Sequence, residues 1–154
     1  MEKIISAVHA GLTRLTCKAS GLFLLCSMLA ACASNDSLSL YEKLGGQDSL
    51  VKLADQFILE IADDERVLPR FADSNVERFR EKIIEHFCVI SDGPCAYTGD
   101  SMIHVHAGMA INSAEFNAVV EDLMTAMDKS GIALSAQNQL LERLALLRPQ
   151  IMGI

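Results

Sequence analysis

The chain has little positive charge, no long alternating pattern and no long hydrophobic stretch. Its 154 residues include 13 Lys and Arg against 20 Asp and Glu, a formal net charge of −7. A surface with this excess of acidic residues is unsuited to binding nucleic acid or to binding anionic lipid electrostatically. No run alternates polar and apolar residues for long enough to predict a strand. These absences predict an all-helical protein that binds no nucleic acid.

An apolar run from Gly21 to Ala31 follows three scattered basic residues. It is too short to span a bilayer as a stable helix, and it has the layout of a secretory signal. Its end, Leu29-Ala30-Ala31-Cys32, resembles a bacterial lipoprotein box, in which the thiol of Cys32 is acylated before cleavage. The alternative is an uncleaved membrane anchor in which Cys32 is incidental. Both interpretations place the folded part outside the cytoplasm.

The chain therefore divides into a signal peptide at 1–31, a tether at 32–38 and one folded domain at 39–154. Without the leader, 10 basic and 19 acidic residues give a formal charge of −9. Membrane contact then depends on the lipid anchor, because a cysteine that carries several acyl chains stays attached. Ala33 stands where an aspartate retains some lipoproteins at the inner membrane, so we favour the outer membrane, facing the periplasm.

Two cysteines remain once the leader and the lipidated residue are set aside. The chain has five, of which Cys17 and Cys26 lie in the leader. Cys88 and Cys95 are an even pair in an exported domain, a situation that favours a disulfide. Two free thiols are the alternative, since a sequence does not report the Cα separation.

Four long amphipathic helices are predicted. The first follows Gly45-Gly46 and carries apolar residues at helical spacing from Leu50 to Ile61. A short turn with Phe71 follows it. Five polar residues provide the other helix starts: Ser74 with Glu77 for the second helix, Asn112 with Glu115 for the third, and Ser135 for the fourth. Gly131 ends the third helix.

His106 lies on a short apolar segment directly before the third long helix. A neutral imidazole on a helix is a good axial ligand for haem iron, which makes haem the first hypothesis. A histidine with a plain core or surface role is the alternative. His104 is about 200° away around a helix, so only one of the two faces the same partner. A zinc or copper site would need a third ligand, and none lies nearby.

The order of these pieces resembles the group I truncated haemoglobins. The resemblance runs from Ser39 to Pro149, and its motifs are Ser39-Leu-Tyr-Glu-Lys-Leu-Gly-Gly46, Phe57, Phe71, Gly93-Pro-x-x-Tyr-Thr-Gly99, His106-Ala-Gly-Met-Ala-Ile111 and Phe116. It implies an all-α, two-over-two helical sandwich around one haem b, with His106 as the proximal ligand and Phe71 on the porphyrin face. We expect the protein to be a monomer. The other predicted contacts are apolar side chains: Met102, Val105, Ile111 and Phe116 on the proximal side, and Phe57, Ile58, Phe79, Ile83 and Phe87 around the remainder.

The distal side departs from the family. Members that hold oxygen tightly carry a tyrosine and a glutamine where this chain has Ile58 and Ile83. Each hydrogen bond lost to a charged partner costs roughly 1.5 to 3 kcal/mol, so oxygen should escape faster. Nitric oxide and carbon monoxide depend less on such donors.

Four polar residues on this side have open roles. Lys82 either pairs with a haem propionate or, if deprotonated, binds the iron. His86 is either a second distal polar group or a surface histidine, Arg78 is a propionate candidate, and Tyr97 either shapes the haem edge or packs the loop.

We therefore predict a globin that binds diatomic gases, with oxidative detoxification of nitric oxide that needs an external reductant. One alternative is an electron-transfer protein with six-coordinate iron, bound by Lys82 or His86. The other is a haem-free envelope lipoprotein that acts through protein contacts.

Overall fold

The computed structural model describes residues 38–154. The predicted signal peptide, Cys32 and nearly all of the predicted tether lie outside the described residues. Within residues 38–154 the regular structure is helical, as the sequence predicts. The bounds are α1 Leu40–Lys43, α2 Gly46–Asp63, α3 Leu68–Phe71, α4 Val76–Ile90, α5 Met102–His106, α6 Ser113–Ser130, α7 Leu134–Ala145 and a 3₁₀ turn at Arg148–Gln150.

The ends of α6 confirm two predictions. The Asn112 side chain accepts hydrogen bonds from the Ala114 and Glu115 amides, and the Glu115 carboxylate accepts one from the Asn112 amide. This reciprocal arrangement satisfies amides that have no partner within the helix. At the other end Gly131 adopts φ 76°, a left-handed conformation that other residues avoid.

Two other helix starts differ from the prediction. The N-cap of α4 is Asn75 rather than Ser74, because the Asn75 side chain accepts from the Arg78 amide; the Ser74–Glu77 capping box was wrong by one residue. The last helix begins at Leu134 after Ala133, with no side-chain cap, so Ser135 lies inside the first turn. Both errors concern a single turn and leave the helices in place.

The core forms where α2 packs against α6 and, less extensively, against α4. Leu50, Leu53 and Phe57 of α2 are buried with Phe87 of α4 and Met127 of α6. Burial of each such side chain contributes roughly 1.5 to 3 kcal/mol. This packing fixes α4 and α6 relative to α2, so it sets the position of every candidate site residue on α4.

The loop between α4 and α5 is fastened to α4. Cys88, buried in the last turn of α4, is joined by a disulfide to Cys95, with a Cα separation of 6.0 Å. Three residues later, the Thr98 amide donates to a Glu85 carboxylate oxygen at 2.8 Å. The loop therefore lies along α4 before the chain enters α5.

None of the helices within residues 38–154 combines the length and the apolar character that a bilayer crossing requires.

Candidate haem site

His106 ends α5 and is held in one ring orientation. Its Nδ1 lies 2.7 Å from the carbonyl oxygen of Met102. A carbonyl oxygen only accepts, so Nδ1 carries the hydrogen and the lone pair of Nε2 is left free. This is the tautomer that a metal-binding imidazole needs, with the backbone carbonyl in the usual supporting place. His106 is half-buried and His104 is exposed, as expected if only His106 faces a pocket.

The segment after His106 is anchored by the C-terminal residues. The amides of Gly108 and Ala110 donate to the carbonyl oxygen of Ile154 at 3.1 and 3.2 Å, and Gly153 donates to Ile111. Gly108 and Ala110 both have positive φ, 77° and 48°. The bend that follows His106 is thus held in a conformation that short peptides rarely adopt.

Arg70 connects α3 to the same segment. Its guanidinium donates to the carbonyl oxygen of Met109 at 3.1 Å and to the Glu115 carboxylate at 2.6 Å. Arg70 precedes Phe71, so the residue that the resemblance places on the porphyrin face is tied to the His106 side of the site. Sequence reasoning missed Arg70 and Ile154, because their partners lie about forty residues away and no local pattern marks them.

Aromatic rings and isoleucines of α2, α3 and α4 surround an apolar cavity. The ring of Phe79 lies 5.3 Å from that of Phe71 and 6.4 Å from that of Phe57, measured between centroids. Ile58, Phe71 and Phe79 line an apolar cavity of about 90 Å³. Ile83 is half-buried on α4. The structure therefore brings Ile58, Phe71 and Phe79 together around one cavity, whereas Ile83, the second predicted distal residue, is not among the residues that line it.

The remaining predicted apolar contacts differ in how much surface they offer. Phe57 and Phe87 are 4% and 1% exposed, so they belong to the buried core and offer little surface to a bound group. Val105 is 49% exposed. The half-buried residues on the His106 side are Met102, Ile111 and Phe116. Apolar surface left open beside His106 suits a flat apolar group that fills the space.

Lys82 has protein partners of its own. Its Nζ donates to carboxylate oxygens of Glu81 and Glu85 at 2.8 and 3.0 Å and to the Thr98 hydroxyl at 2.5 Å. Hydrogen bonds from Lys82 to Glu81 and then to Glu85 raise the pKa of Lys82. An ammonium has no lone pair for a metal, so Lys82 in this arrangement is not an iron ligand.

The other polar residues near α4 differ in how firmly they are held. Arg78 is exposed and lies 3.8 Å from Asp100, a loose surface pair. The Tyr97 hydroxyl donates to the carbonyl oxygen of Asp100 at 3.0 Å. His86 packs edge-on against the Tyr97 ring, 5.4 Å between centroids, and its Nε2 is buried without a hydrogen-bond partner. Burial lowers the pKa of His86, so its ring is neutral at neutral pH.

The donor set fits haem and does not fit a bare metal ion. Residues 38–154 contain no cluster of three His, Cys, Asp or Glu side chains that could hold a metal. A single imidazole is sufficient only when a macrocycle supplies the other ligands, and a macrocycle also needs apolar walls. His106 would hold the iron, and the apolar residues described above would contact the porphyrin.

Comparison with known proteins agrees with this geometry. Residues 39–152 match the family described as bacterial-like globin. A group 1 truncated hemoglobin from Mycolicibacterium paratuberculosis is 29% identical over 124 residues, which cover 80% of this chain and 91% of the relative. Another from a Nostoc species is 27% identical over 115 residues, 75% of this chain and 98% of the relative.

A solved structure shares the fold. The truncated hemoglobin from Tetrahymena pyriformis in its Fe(III) form has a TM-score of 0.73 at 24% identity, covering 76% of this chain and 100% of that chain. The predicted all-α two-over-two fold is thereby confirmed. The predicted cofactor, haem with its iron, is that of the family. The chain belongs to the bacterial-like globin family and is a haem-binding globin of the truncated type.

Proposed function

We propose that this globin binds diatomic gases at a haem b held by His106, and that nitric oxide is the ligand on which it acts. The observations that carry the proposal are His106, whose Nδ1 is held by the Met102 carbonyl, and an apolar cavity that Ile58 and Phe71 line. Bound haem would supply the iron at which the gas binds. Oxidative removal of nitric oxide also needs a reductant, which this proposal assigns to a separate reductase.

The residues of this chain orient the ligand and exclude water. The hydrogen bond from His106 Nδ1 to Met102 raises the basicity of Nε2 and fixes the ring. Ile58 and Phe79 line an apolar cavity, which a neutral diatomic gas enters more readily than a hydrated anion. Without a tyrosine or glutamine at the positions of Ile58 and Ile83, retention of oxygen is weak relative to nitric oxide and carbon monoxide.

The test is a set of gas-binding measurements on the full chain purified with haem. Stopped-flow mixing of the ferrous protein should show tight binding of nitric oxide and carbon monoxide and fast release of oxygen. Removal of nitric oxide by the oxygenated protein should continue only while a reductant is supplied. Slow oxygen release with no reaction toward nitric oxide would contradict the proposal.

Electron transfer by six-coordinate iron is the less favoured function. It requires a neutral side chain as the sixth ligand, and Lys82 is held as an ammonium by Glu81 and Glu85. If Lys82 nevertheless captures the iron, a low-spin ferrous spectrum should become high-spin in Lys82→Ala. A haem-free envelope role is disfavoured because nothing in such a role explains the His106 tautomer.

The same proposal places the globin in the cell envelope, anchored through Cys32 and favouring the outer membrane. The sequence around Cys32 and the Cys88–Cys95 disulfide support this location, since disulfides persist in oxidising compartments. In cells fed labelled palmitate, label should enter the full chain and be absent from Cys32→Ser. Cys26→Ser is the matched control and should keep the label. Label that survives in Cys32→Ser would contradict the anchor.

A further inference from the structure

His86 lies on the same side of α4 as Phe79 and Ile83. Phe79, Ile83 and His86 follow one another at helical spacing, and all three are half-buried. Phe79 contacts Phe71 at the start of this row. The neighbouring row of α4 is buried in the core and consists of Ile84, Phe87 and Cys88. The row that ends at His86 begins at Phe79, which lines the apolar cavity.

The Nε2 atom of His86 is shielded from solvent and has no hydrogen-bond partner. Nearly all buried polar atoms in native proteins have a partner, because a buried unsatisfied group is costly. A bound group that extends from the Phe79 end of this row to His86 would supply the missing partner.

The imidazole of His86 is held in this position by the loop that follows α4. Tyr97 packs edge-on against it, and the loop that carries Tyr97 is fastened to α4 by the Cys88–Cys95 disulfide and by the Thr98–Glu85 hydrogen bond. Rotation of His86 toward the solvent would break the contact with Tyr97. The ring therefore acts as a preorganised group rather than a mobile one.

The other polar side chains along this part of α4 are already engaged. Lys82 is paired with Glu81, Glu85 and Thr98, and the Tyr97 hydroxyl donates to Asp100. Among the described residues, the other buried polar atoms without a partner belong to Asp122 and Ser130, both on α6. His86 is thus the polar group of α4 that is free to meet a ligand.

We propose that His86 Nε2 hydrogen-bonds the gas ligand bound to the haem iron, as a single polar contact beside the apolar Ile58 and Ile83. This inference rests on the proposed gas-binding function. His86 would contact the ligand and leave the iron itself to His106 and the gas.

The experiment compares His86→Phe with His104→Phe in the full chain purified with haem. In the ferrous carbon monoxide complex, a donor near the ligand oxygen weakens the C–O bond, so His86→Phe should move the C–O stretching band to higher wavenumber. Oxygen release should become about tenfold faster, the effect of losing about 1.4 kcal/mol. His104→Phe alters an exposed histidine and should leave both measurements unchanged. His86→Gln keeps an amide donor and should release oxygen more slowly than His86→Phe.

The haem-free protein gives an independent readout. Because His86→Phe removes an unsatisfied buried nitrogen, its melting temperature without haem should equal or exceed that of the unmodified chain. Normal haem binding with an unchanged C–O band in His86→Phe would overturn this inference and leave the gas-binding function standing. A low-spin ferrous spectrum that becomes high-spin in His86→Phe would also overturn it, since His86 would then bind the iron. Absence of any Soret band in the unmodified chain would instead defeat the gas-binding function.

Discussion

The Nδ1 atom of His106 donates a hydrogen bond to the carbonyl oxygen of Met102, one helical turn earlier, at 2.7 Å. The donor and the acceptor both belong to α5, so a five-residue helix is enough to select the tautomer. Nε2 keeps its lone pair, and the ring cannot turn without losing the bond. A short helix thereby prepares one nitrogen for a metal before any cofactor arrives.

The first prediction concerns this imidazole. His106→Ala should abolish the Soret band of the chain purified with haem, because no other histidine within residues 38–154 has its Nδ1 held by a backbone carbonyl oxygen. His104→Ala is the matched control and should keep full haem content, since His104 is exposed. The ligand assignment is wrong if the two variants behave the other way round.

The second prediction concerns the apolar wall. Ile58 lines the cavity together with Phe71 and Phe79. Ile58→Tyr adds a donor on that side and should slow oxygen release by about tenfold or more, since a hydrogen bond to a charged partner contributes roughly 1.5 to 3 kcal/mol. Ile58→Phe supplies a ring without a donor and should leave the rate high. Equal rates in the two variants, measured by stopped flow, would count against Ile58 as a wall of the ligand pocket.

The third prediction concerns the Cys88–Cys95 disulfide, which spans a sequence separation of 7. Protein exported to an oxidising compartment should gain two mass units on reduction, measured on the intact chain. Cys95→Ala should lower the free energy of unfolding by about 2 kcal/mol, as expected for a loop of this size. No change in mass on reduction would show two free thiols.

The fourth prediction concerns Asp122, which is 7% exposed on α6 with its Oδ2 unpartnered. Burial, and then the charge of Asp64, raise the pKa of Asp122 from 3.8 to about 6, whereas Arg66 acts in the opposite direction and Glu60 adds to the rise. The folded state therefore binds the proton more tightly than the unfolded chain. Stability from this group is fully present below about pH 4 and is lost as the pH rises through about 6.

Urea unfolding at a series of pH values measures this effect. The raised pKa corresponds to at most about 3 kcal/mol, so Asp122→Asn should be more stable than the unmodified chain at neutral pH and should remove most of the decline. Glu142→Gln, an exposed change on α7, should preserve it. A decline of the same size in Asp122→Asn would show that other groups cause it.

Local patterns were enough for much of the fold. The apolar spacing of α2, the Asn112–Glu115 cap and the Gly131 stop each depend on residues within a few positions of one another. Such features are fixed by backbone sterics and neighbouring side chains, so they can be predicted from the sequence. The cap of α4 was misplaced because Ser74 and Asn75 are both able to cap, and the backbone path from α3 decides between them.

The polar side chains required the tertiary structure. Asp122 lies on α6 beside residues that the sequence pattern marks as apolar, and it is buried because α2 covers that face of the helix. The partners of Lys82 include Thr98 on the following loop.

From its sequence alone, the chain was predictable as an all-helical globin, because helix periodicity and short motifs are local, and the same motifs single out His106 as the candidate iron ligand. Only the tertiary structure decided which polar groups are satisfied. Lys82 acquires partners while His86 Nε2 has none, and that difference depends on how the loop after α4 folds back. Hydrogen-bond satisfaction is set by distances between residues far apart in the chain, and no local pattern encodes them.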